Sequence, residues 1–407
     1  MEILEKVTKK IQNKQIVSQN EFDQIISLYC QNQISDEEFL PLVQAIYYYG
    51  ITDKELYYLT NSMQHSGITL NLSSLGQVVD KHSTGGVSDT TTIVIAPICA
   101  CLGTKMLKLS GKALGFTGGT ADKLEMFEGY QTELPLDKAI ELVKQNGACM
   151  LTTSKEIAPA DKKIYALRDK TGLVDNIPLI ASSIMSKKLA GGADIIVIDV
   201  KYGNGAFMQT KKDAKKLAKK MKAIGKNAGK TIVNVLTKSN QPLGYNIGPK
   251  LEAIEAIEIL KGKEYNSLLY KSCVHLATLC VKLDKKISYH KTKKMVRNVL
   301  QNGSALQKLK DMVLSQGGKL DLFEQTYQEP TLVVKSPKVG KVKKYNTKEI
   351  GNIVGALSRQ NPDYGIVTFA KIGCKVNKKT TLFNIYSKDT VIAEITAQKL
   401  LECIEIK

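Results

Sequence analysis

The sequence predicts an α/β protein with a small all-helical domain, a larger α/β domain with a mostly parallel central sheet, and a C-terminal α+β lobe. Three observations predict it. The first 65 or so residues carry only helix-like patterns; short apolar runs then alternate with helical stretches, as βαβ units require; and beyond Pro330 the pattern changes to short β-like runs. At 407 residues, 43% hydrophobic and 24% charged, the chain has ample sequence for a core and for more than one domain.

Helices are predicted over 2–11, 19–30, 36–48 and 53–63, with Ser18, Ser35 and Thr52 as N-caps and Ser18 and Glu21 at capping-box spacing. From residue 70 onward strands are predicted over 77–79, 106–109, 149–153, 195–200 and 231–236. A longer helical insertion over 158–190, holding helices 160–170 and 180–189, separates two of them. The lysine-rich stretch 211–230 places Ala214, Leu217, Met221 and Ile224 on one helix face and lysines on the other, a solvated helix. Helices continue over 249–317, with 252–260 and 266–283 apolar on one side. The tail offers the runs TLVVKS, GKVKKY, GIVTFA and TLFNIYS and one helix near 348–357.

Composition removes several function classes. No apolar run reaches the roughly 18 residues a membrane span needs, and MEILEK is not a signal peptide, so a cytoplasmic protein without a membrane partner is expected. The eight cysteines form no CxxC pair and read as free thiols. The four histidines, His65, His82, His275 and His290, show no metal-ligand spacing. The net charge of +19 is spread over helices rather than gathered in a stripe with aromatics, which argues against a nucleic-acid partner and for a field that attracts phosphate. Among 58 basic residues only Arg168, Arg297 and Arg359 are arginines, so Arg168 stands out as a planar donor fork that lysine cannot copy, or else as a structural ion-pair arginine.

Two loops carry the chemistry. The stretch 105–125, KMLKLSGKALGFTGGTADKLE, has the layout of a strand, a glycine-rich loop and a helix start. Its glycines let backbone N–H groups approach an anion, and Ser110, Thr117 and Thr120 add hydroxyl donors. Alone it is equally a surface turn. The stretch 79–92, VDKHSTGGVSDTTT, repeats the layout with Lys81 and His82 ahead of the helical run 93–102. Neither loop fits GxxxxGK[ST] or GxGxxG, so a shared anion site for a ligand smaller than ATP is the better reading.

SGKALGFTGGTADKLE and KHSTGG resemble the signature and second phosphate loop of the thymidine and pyrimidine-nucleoside phosphorylases. The likeness continues through YALRDKTGLVDNIPLIASSIMSKKLAGG and DVKYGNGAFM and covers nearly the whole chain. The resemblance implies phosphorolysis of uridine, thymidine and deoxyuridine in a cleft between two domains, with inorganic phosphate as co-substrate, no organic cofactor and a homodimer. It divides the chain into a helical domain over 1–65 completed by 158–190, an α/β phosphate-binding domain over 70–157 and 193–330, and a lobe over 331–407.

Residue by residue, the resemblance assigns phosphate to Lys81, Ser83, Thr92, Ser110 and Thr120. It assigns the base to Arg168, Ser183 and Lys187, with His82 as a donor to the leaving base or merely a loop residue shaping the pocket. Ser183 and Lys187 are four apart and so share a helix face. A cationic pair on the pyrimidine carbonyls would hold the anionic leaving base more tightly than the neutral one, which is what accelerates a reaction. Lys108 is implied as the residue reaching the ribose hydroxyl, against the alternative of a surface lysine. A potassium or calcium ion is implied at Ser88, Thr90, Leu243, Asn246 and Glu255.

Three residues depart from the family pattern: Lys112 for arginine, Phe116 for histidine and Ser88 for glycine. Two rival readings stand beside this one. An anthranilate-type phosphoribosyltransferase shares the general fold, and a basic nucleic-acid-binding protein on a degenerate enzyme fold would bind DNA or RNA in a salt-dependent way.

Overall fold

A computed structural model describes residues 2–113, 115–263 and 267–407. Asn266, the first residue of the predicted 266–283 helix, and Leu114 of the glycine-rich loop lie outside the described residues. In chain order the elements are α1 (Glu2–Gln12), α2 (Gln19–Cys30), α3 (Asp36–Tyr49), α4 (Asp53–Gln64), β1 (Val79–Ser83), α5 (Thr91–Cys101), β2 (Met106–Ser110), α6 (Thr120–Leu124), α7 (Leu136–Asn146), β3 (Ala148–Thr152), α8 (Pro159–Thr171) and α9 (Ile177–Ala190). Next come β4 (Ile195–Tyr202), α10 (Lys211–Asn227), β5 (Thr231–Lys238), β6 (Asn246–Ile247), α11 (Pro249–Leu260), α12 (Leu268–Lys285), α13 (Tyr289–Gln301), α14 (Ser304–Ser315) and α15 (Asp321–Glu324). The tail holds β7 (Leu332–Lys335), β8 (Gly340–Tyr345), α16 (Thr347–Gln360), β9 (Gly365–Thr368), β10 (Lys375–Val376), β11 (Thr381–Tyr386), α17 (Thr390–Glu402) and β12 (Ile404–Ile406).

The predicted α/β class holds, with two local corrections. The strand expected over 77–79 instead runs from Val79 to Ser83, because Asp80 and Lys81 are buried and take strand geometry despite their charge. The terminal α17 and β12 were not predicted; burial of Ala393, Thr396, Ala397 and Leu400 on one side of α17 is what makes that segment an element.

The chain forms two compact units interleaved in sequence. The first comprises Met1–Val78, Thr153–Val200 and Lys212–Val235. Ser18, Ser35 and Thr52 each cap a helix, and each closes a full capping box with the glutamate three residues on. The helices bury Phe22, Ile25, Tyr29, Phe39 and Leu42 together with Ile164 and Leu167 of α8 and Leu179 of α9. Tyr29 and Phe39 stack with centroids 3.9 Å apart. Full burial of such side chains contributes about 1.5–3 kcal/mol each. This shared core is what fixes α8 and α9, the helices that carry three of the predicted site residues, Arg168, Ser183 and Lys187. In the same unit α10 buries the predicted face, Ala214, Leu217, Met221 and Ile224.

The second unit comprises Val79–Thr152, Lys201–Lys211 and Leu236–Lys407. Strands β2 and β3 pair in parallel from Met106↔Ala148 to Ser110↔Thr152. Helix α5, TTIVIAPICAC, is apolar all round because it is buried on every side but its last residue. The tail strands form two sheets, one of three strands ordered β10-β8-β12 and one of four, β6-β9-β11-β7, in which β6 joins from outside the tail. Their apolar core, with Val342, Tyr345, Ile350, Val354 and Phe383, extends to Val87 and Phe116 of the two glycine-rich loops. The loops are thus docked on the C-terminal lobe by hydrophobic contact.

Glu21 gives this architecture a pH dependence. Burial pushes its carboxyl up, but the Lys10 ammonium and the Ser18 N–H and hydroxyl outweigh it and hold it at about 2 against an ordinary 4.5. The unfolded chain therefore binds this proton more tightly, so the contribution is complete above about pH 4.5 and is lost as pH falls toward about 2. The urea midpoint of the wild type is expected to fall more steeply over that window than that of Glu21→Gln, followed by circular dichroism; parallel curves would refute the assignment.

Candidate active site

Strand β1 delivers Lys81, His82 and Ser83 to the first glycine loop, and a buried carboxylate organises the residues around that loop. Asp89 accepts the Ser83 hydroxyl at 2.6 Å and the Thr91 hydroxyl at 2.5 Å, and its Oδ2 lies 3.4 Å from Lys201 Nζ. Lys81 Nζ donates to Thr91 Oγ1 at 2.5 Å, and Lys123 Nζ to the Asp89 carbonyl at 2.9 Å. Burial pushes the Asp89 carboxyl up, yet Lys201 and Lys81 with the two hydroxyls hold it well below the usual range. Lys123 also lies 2.5 Å from Glu252, whose carboxyl burial pushes up despite that lysine. Three buried ammoniums thus face two carboxylates, an excess of positive charge with hydroxyls beside it, as a bound phosphate requires.

The remaining predicted phosphate residues sit close by in the same unit. Thr92 is buried in the first turn of α5, while the hydroxyl that meets Lys81 is that of Thr91. Ser110 ends β2 with its hydroxyl buried and without a partner among the described residues. Gly111 accepts the N–H of Ala121 at 3.5 Å, which brings Ser110 and Thr120 to neighbouring turns. A Cβ on Gly119 would collide with the Ala113 nitrogen, so only glycine lets this loop close. His82 is half-buried on β1. Lys108 is 3% exposed and 3.3 Å from Asp80, a buried ion pair and not a surface lysine.

The departures behave differently from one another. Lys112 is exposed and pairs with Glu125 at 2.9 Å. Phe116 is buried against Phe207 with centroids 5.3 Å apart and has Lys348 5.7 Å from its ring centre. A Cβ on Gly351 of α16 would collide with the Phe116 carbonyl, so the loop backbone rests directly on that helix. A cavity of about 430 Å³ lies here, lined by Lys112, Phe116, Gly118, Glu252 and Arg359; none of the five predicted phosphate residues lines it.

In the first unit Arg168 is 1% exposed. Its guanidinium donates to the carbonyls of Leu173, Val174 and Leu179 at 3.1, 2.8 and 3.4 Å, and burial lowers its pKa, with Asp161 opposing. Three of its five N–H groups thus hold the turn between α8 and α9, and two are left over. Ser183 is buried on α9, and Lys187, one turn on, forms an ion pair with Asp161. The predicted base residues therefore belong to the first unit and the predicted phosphate residues to the second.

The residues assigned to a cation also converge. Ser88 has φ of +59° and donates its hydroxyl to the Asn246 carbonyl at 2.5 Å; Gly244 N–H donates to that hydroxyl at 3.1 Å and Leu243 N–H to the Val87 carbonyl. Thr90 Oγ1 donates to the Glu252 carbonyl at 3.4 Å. The Glu255 oxygens accept the N–H groups of Tyr245 and Asn246 at 2.6 and 3.1 Å.

Sequence reasoning missed Asp89, Thr91, Lys123, Lys201, Glu252 and Asp161. Asp89 and Lys201 stand inside the quoted motifs VDKHSTGGVSDTTT and DVKYGNGAFM, where an acid and a base each within a glycine-rich loop was the available signal.

Residues 75–306 match the glycosyl transferase family, a/b domain. The chain is similar to a pyrimidine-nucleoside phosphorylase of Bacillus subtilis (strain 168), 40% identical over 98% of this chain and 95% of that protein. It is 39% identical to one of Geobacillus stearothermophilus over 100% of this chain and 96% of the other. Among solved structures, anthranilate phosphoribosyltransferase from Thermus thermophilus superposes with a TM-score of 0.61 at 18% identity, covering 76% of this chain and 99% of that one, a likeness of fold alone.

The Asp89 carboxylate is the acid that Lys201 and Lys81 face in the buried loop. Asp89→Ala is expected to lose about 3–5 kcal/mol of stability. Glu125→Gln, on the exposed Lys112 pair, is expected to lose less than about 1 kcal/mol. Urea titration of both variants checks this; equal losses would contradict the hub.

Proposed function

The chain belongs to the pyrimidine-nucleoside phosphorylase family, and on that premise we propose that it cleaves uridine, thymidine and deoxyuridine with inorganic phosphate, giving free base and (deoxy)ribose 1-phosphate. A phosphate oxygen attacks the anomeric carbon as the bond from that carbon to the base nitrogen breaks. The bonding pair leaves on the base, which then takes a proton. No covalent enzyme intermediate is needed.

The observation that carries this reading is the buried cradle of Lys81, Ser83 and Thr91 around Asp89, with Lys201 and Lys123 behind it. Lys81, Ser83, Thr92, Ser110 and Thr120 hold the phosphate, as a point charge plus directional hydroxyls. Ser110 supports this with a buried hydroxyl that no described group satisfies. Arg168, through its two remaining N–H groups, and Lys187, positioned by its ion pair with Asp161, grip the base carbonyl oxygens, with Ser183 on the same face of α9 as Lys187. Negative charge grows on those oxygens as the bond breaks, so cations fixed in advance stabilise the transition state more than the bound nucleoside. His82 supplies a proton or hydrogen bond to the departing base. Lys108 recognises the ribose hydroxyl, its ammonium held in place by Asp80.

The same reading makes the protein a cytoplasmic homodimer acting on small molecules; no described helix is long and apolar enough to cross a membrane. The test is incubation with uridine, thymidine, deoxyuridine and cytidine, with and without phosphate, reading free base and sugar 1-phosphate. Base release that depends on phosphate is expected; none with any nucleoside would overturn the proposal. For Lys108, the Asp80→Asn, Lys108→Met double variant removes the pair without leaving a bare buried charge. It should lower kcat/KM for uridine relative to thymidine by about tenfold, the loss of roughly one charged hydrogen bond. An unchanged ratio would exclude Lys108 from sugar choice.

A further inference from the structure

The family resemblance assigns Ser88, Thr90, Leu243, Asn246 and Glu255 to a potassium or calcium ion, and their geometry in this chain does not fit one. We infer that the loop is closed instead by the Ser88 hydroxyl and the Lys371 ammonium, so that the protein folds and works without a bound cation there.

A hard cation needs several oxygens, six to eight for calcium, with lone pairs converging on one point. Here proton donors already point at those oxygens. Ser88 adopts the left-handed backbone that favours glycine, and so projects a hydroxyl into the loop that glycine would lack. That hydroxyl donates to the Asn246 carbonyl at 2.5 Å and accepts the Gly244 N–H at 3.1 Å. Ser88, one of the departures from the family pattern, is thus bonded to the backbone of a second residue of the assigned set. The Asn246 side chain adds hydrogen bonds to the Leu251 carbonyl at 2.6 Å and the Tyr327 hydroxyl at 2.7 Å, which fix that backbone further.

Glu255, the one carboxylate of the set, is fully buried and directs its two oxygens at the backbone N–H groups of Tyr245 and Asn246. A Cβ on Gly244 would collide with both of those oxygens and with Ser88 Oγ, so serine and carboxylate close directly on Gly244. The positive charge comes from the chain itself. Lys371 Nζ donates to the carbonyls of Pro242 and Gly244 at 2.9 and 2.5 Å and lies 4.6 Å from the centre of the Tyr245 ring. The segment that carries it is clasped to the loop, since Thr368 N–H donates to the Tyr245 carbonyl at 2.7 Å and Ile372 N–H to the Gln241 side chain at 2.7 Å. A tethered ammonium on the carbonyls that flank Leu243 is present at any ion concentration.

The full chain is dialysed against chelator in a buffer whose only other cation is tetramethylammonium. Metal content is then measured by elemental analysis, and Tm with and without potassium or calcium chloride at matched ionic strength. No stoichiometric metal and no Tm shift are expected. Ser88→Gly frees the oxygens, so its Tm should rise with potassium or calcium; Lys371→Met should melt lower than the wild type. One retained metal per chain, a wild-type Tm that rises with either ion, a Ser88→Gly Tm indifferent to both, or an unchanged Lys371→Met Tm would overturn the inference. If Lys371→Met does not fold, the wild type and Ser88→Gly still decide. These readouts are of stability and metal content, so they stand or fall apart from the phosphorolysis reading.

Discussion

Asp89 keeps its side chain 7% exposed in the company of Lys81, Lys123 and Lys201 and of two hydroxyls. A carboxylate taken so far out of water must keep those partners in place, because each withdrawn contact leaves charge uncompensated at low dielectric. The demand is mutual. Lys81 comes from β1 and Lys201 from the end of β4, so satisfying one acid fixes the ends of two elements against the first glycine loop, while Lys123 of α6 holds the Asp89 backbone carbonyl. Order in the loop is thus a consequence of burying charge, and the geometry is set before any ligand arrives.

The second glycine loop is positioned by different physics. Phe116 puts a ring into the apolar core of the C-terminal lobe, against Phe207, Val354 and Ile350, while the backbone of Gly351 makes room for its carbonyl. A polar residue at 116 would have to find a hydrogen bond there; phenylalanine needs only surface to cover. The departure from the family pattern that removes a polar group is therefore accompanied by packing that holds the loop by area. Lys112, at the exposed end of the same loop, has no such role, since its ion pair with Glu125 is largely solvated.

Local pattern carried much of this into the sequence. Ser18, Ser35 and Thr52 announce three helices, because an N-cap hydroxyl followed by glutamate at the third position acts within four residues. The apolar face of α10 is equally plain from its period. What stayed hidden is the pairing of distant charges. Nothing in the string says that Lys123 meets Glu252, that Lys187 meets Asp161 or that Lys108 is buried on Asp80, since lysine and acid are ordinarily solvated and only tertiary packing selects the few that are not. For the same reason Arg168 showed itself by rarity, while its three carbonyl partners did not. β1 was displaced toward its polar end because burial of Asp80 and Lys81 overrides the low strand preference of such residues.

The interleaving of the two units bears on how the chain is made. The last residue of the first unit is Val235, so everything that unit needs has been synthesised while Leu236–Lys407 is still to come. By then β1, β2, β3 and both glycine loops have also left the ribosome, yet Glu252, Gly351 and Lys371, on which those loops and the 241–246 segment rest, have not been translated. A nascent chain of this protein thus passes through a stage in which the sequence of the first unit is complete while one long excursion, Val79–Thr152, still lacks the partners it packs on. Closure of that excursion therefore waits on translation of the C-terminal lobe.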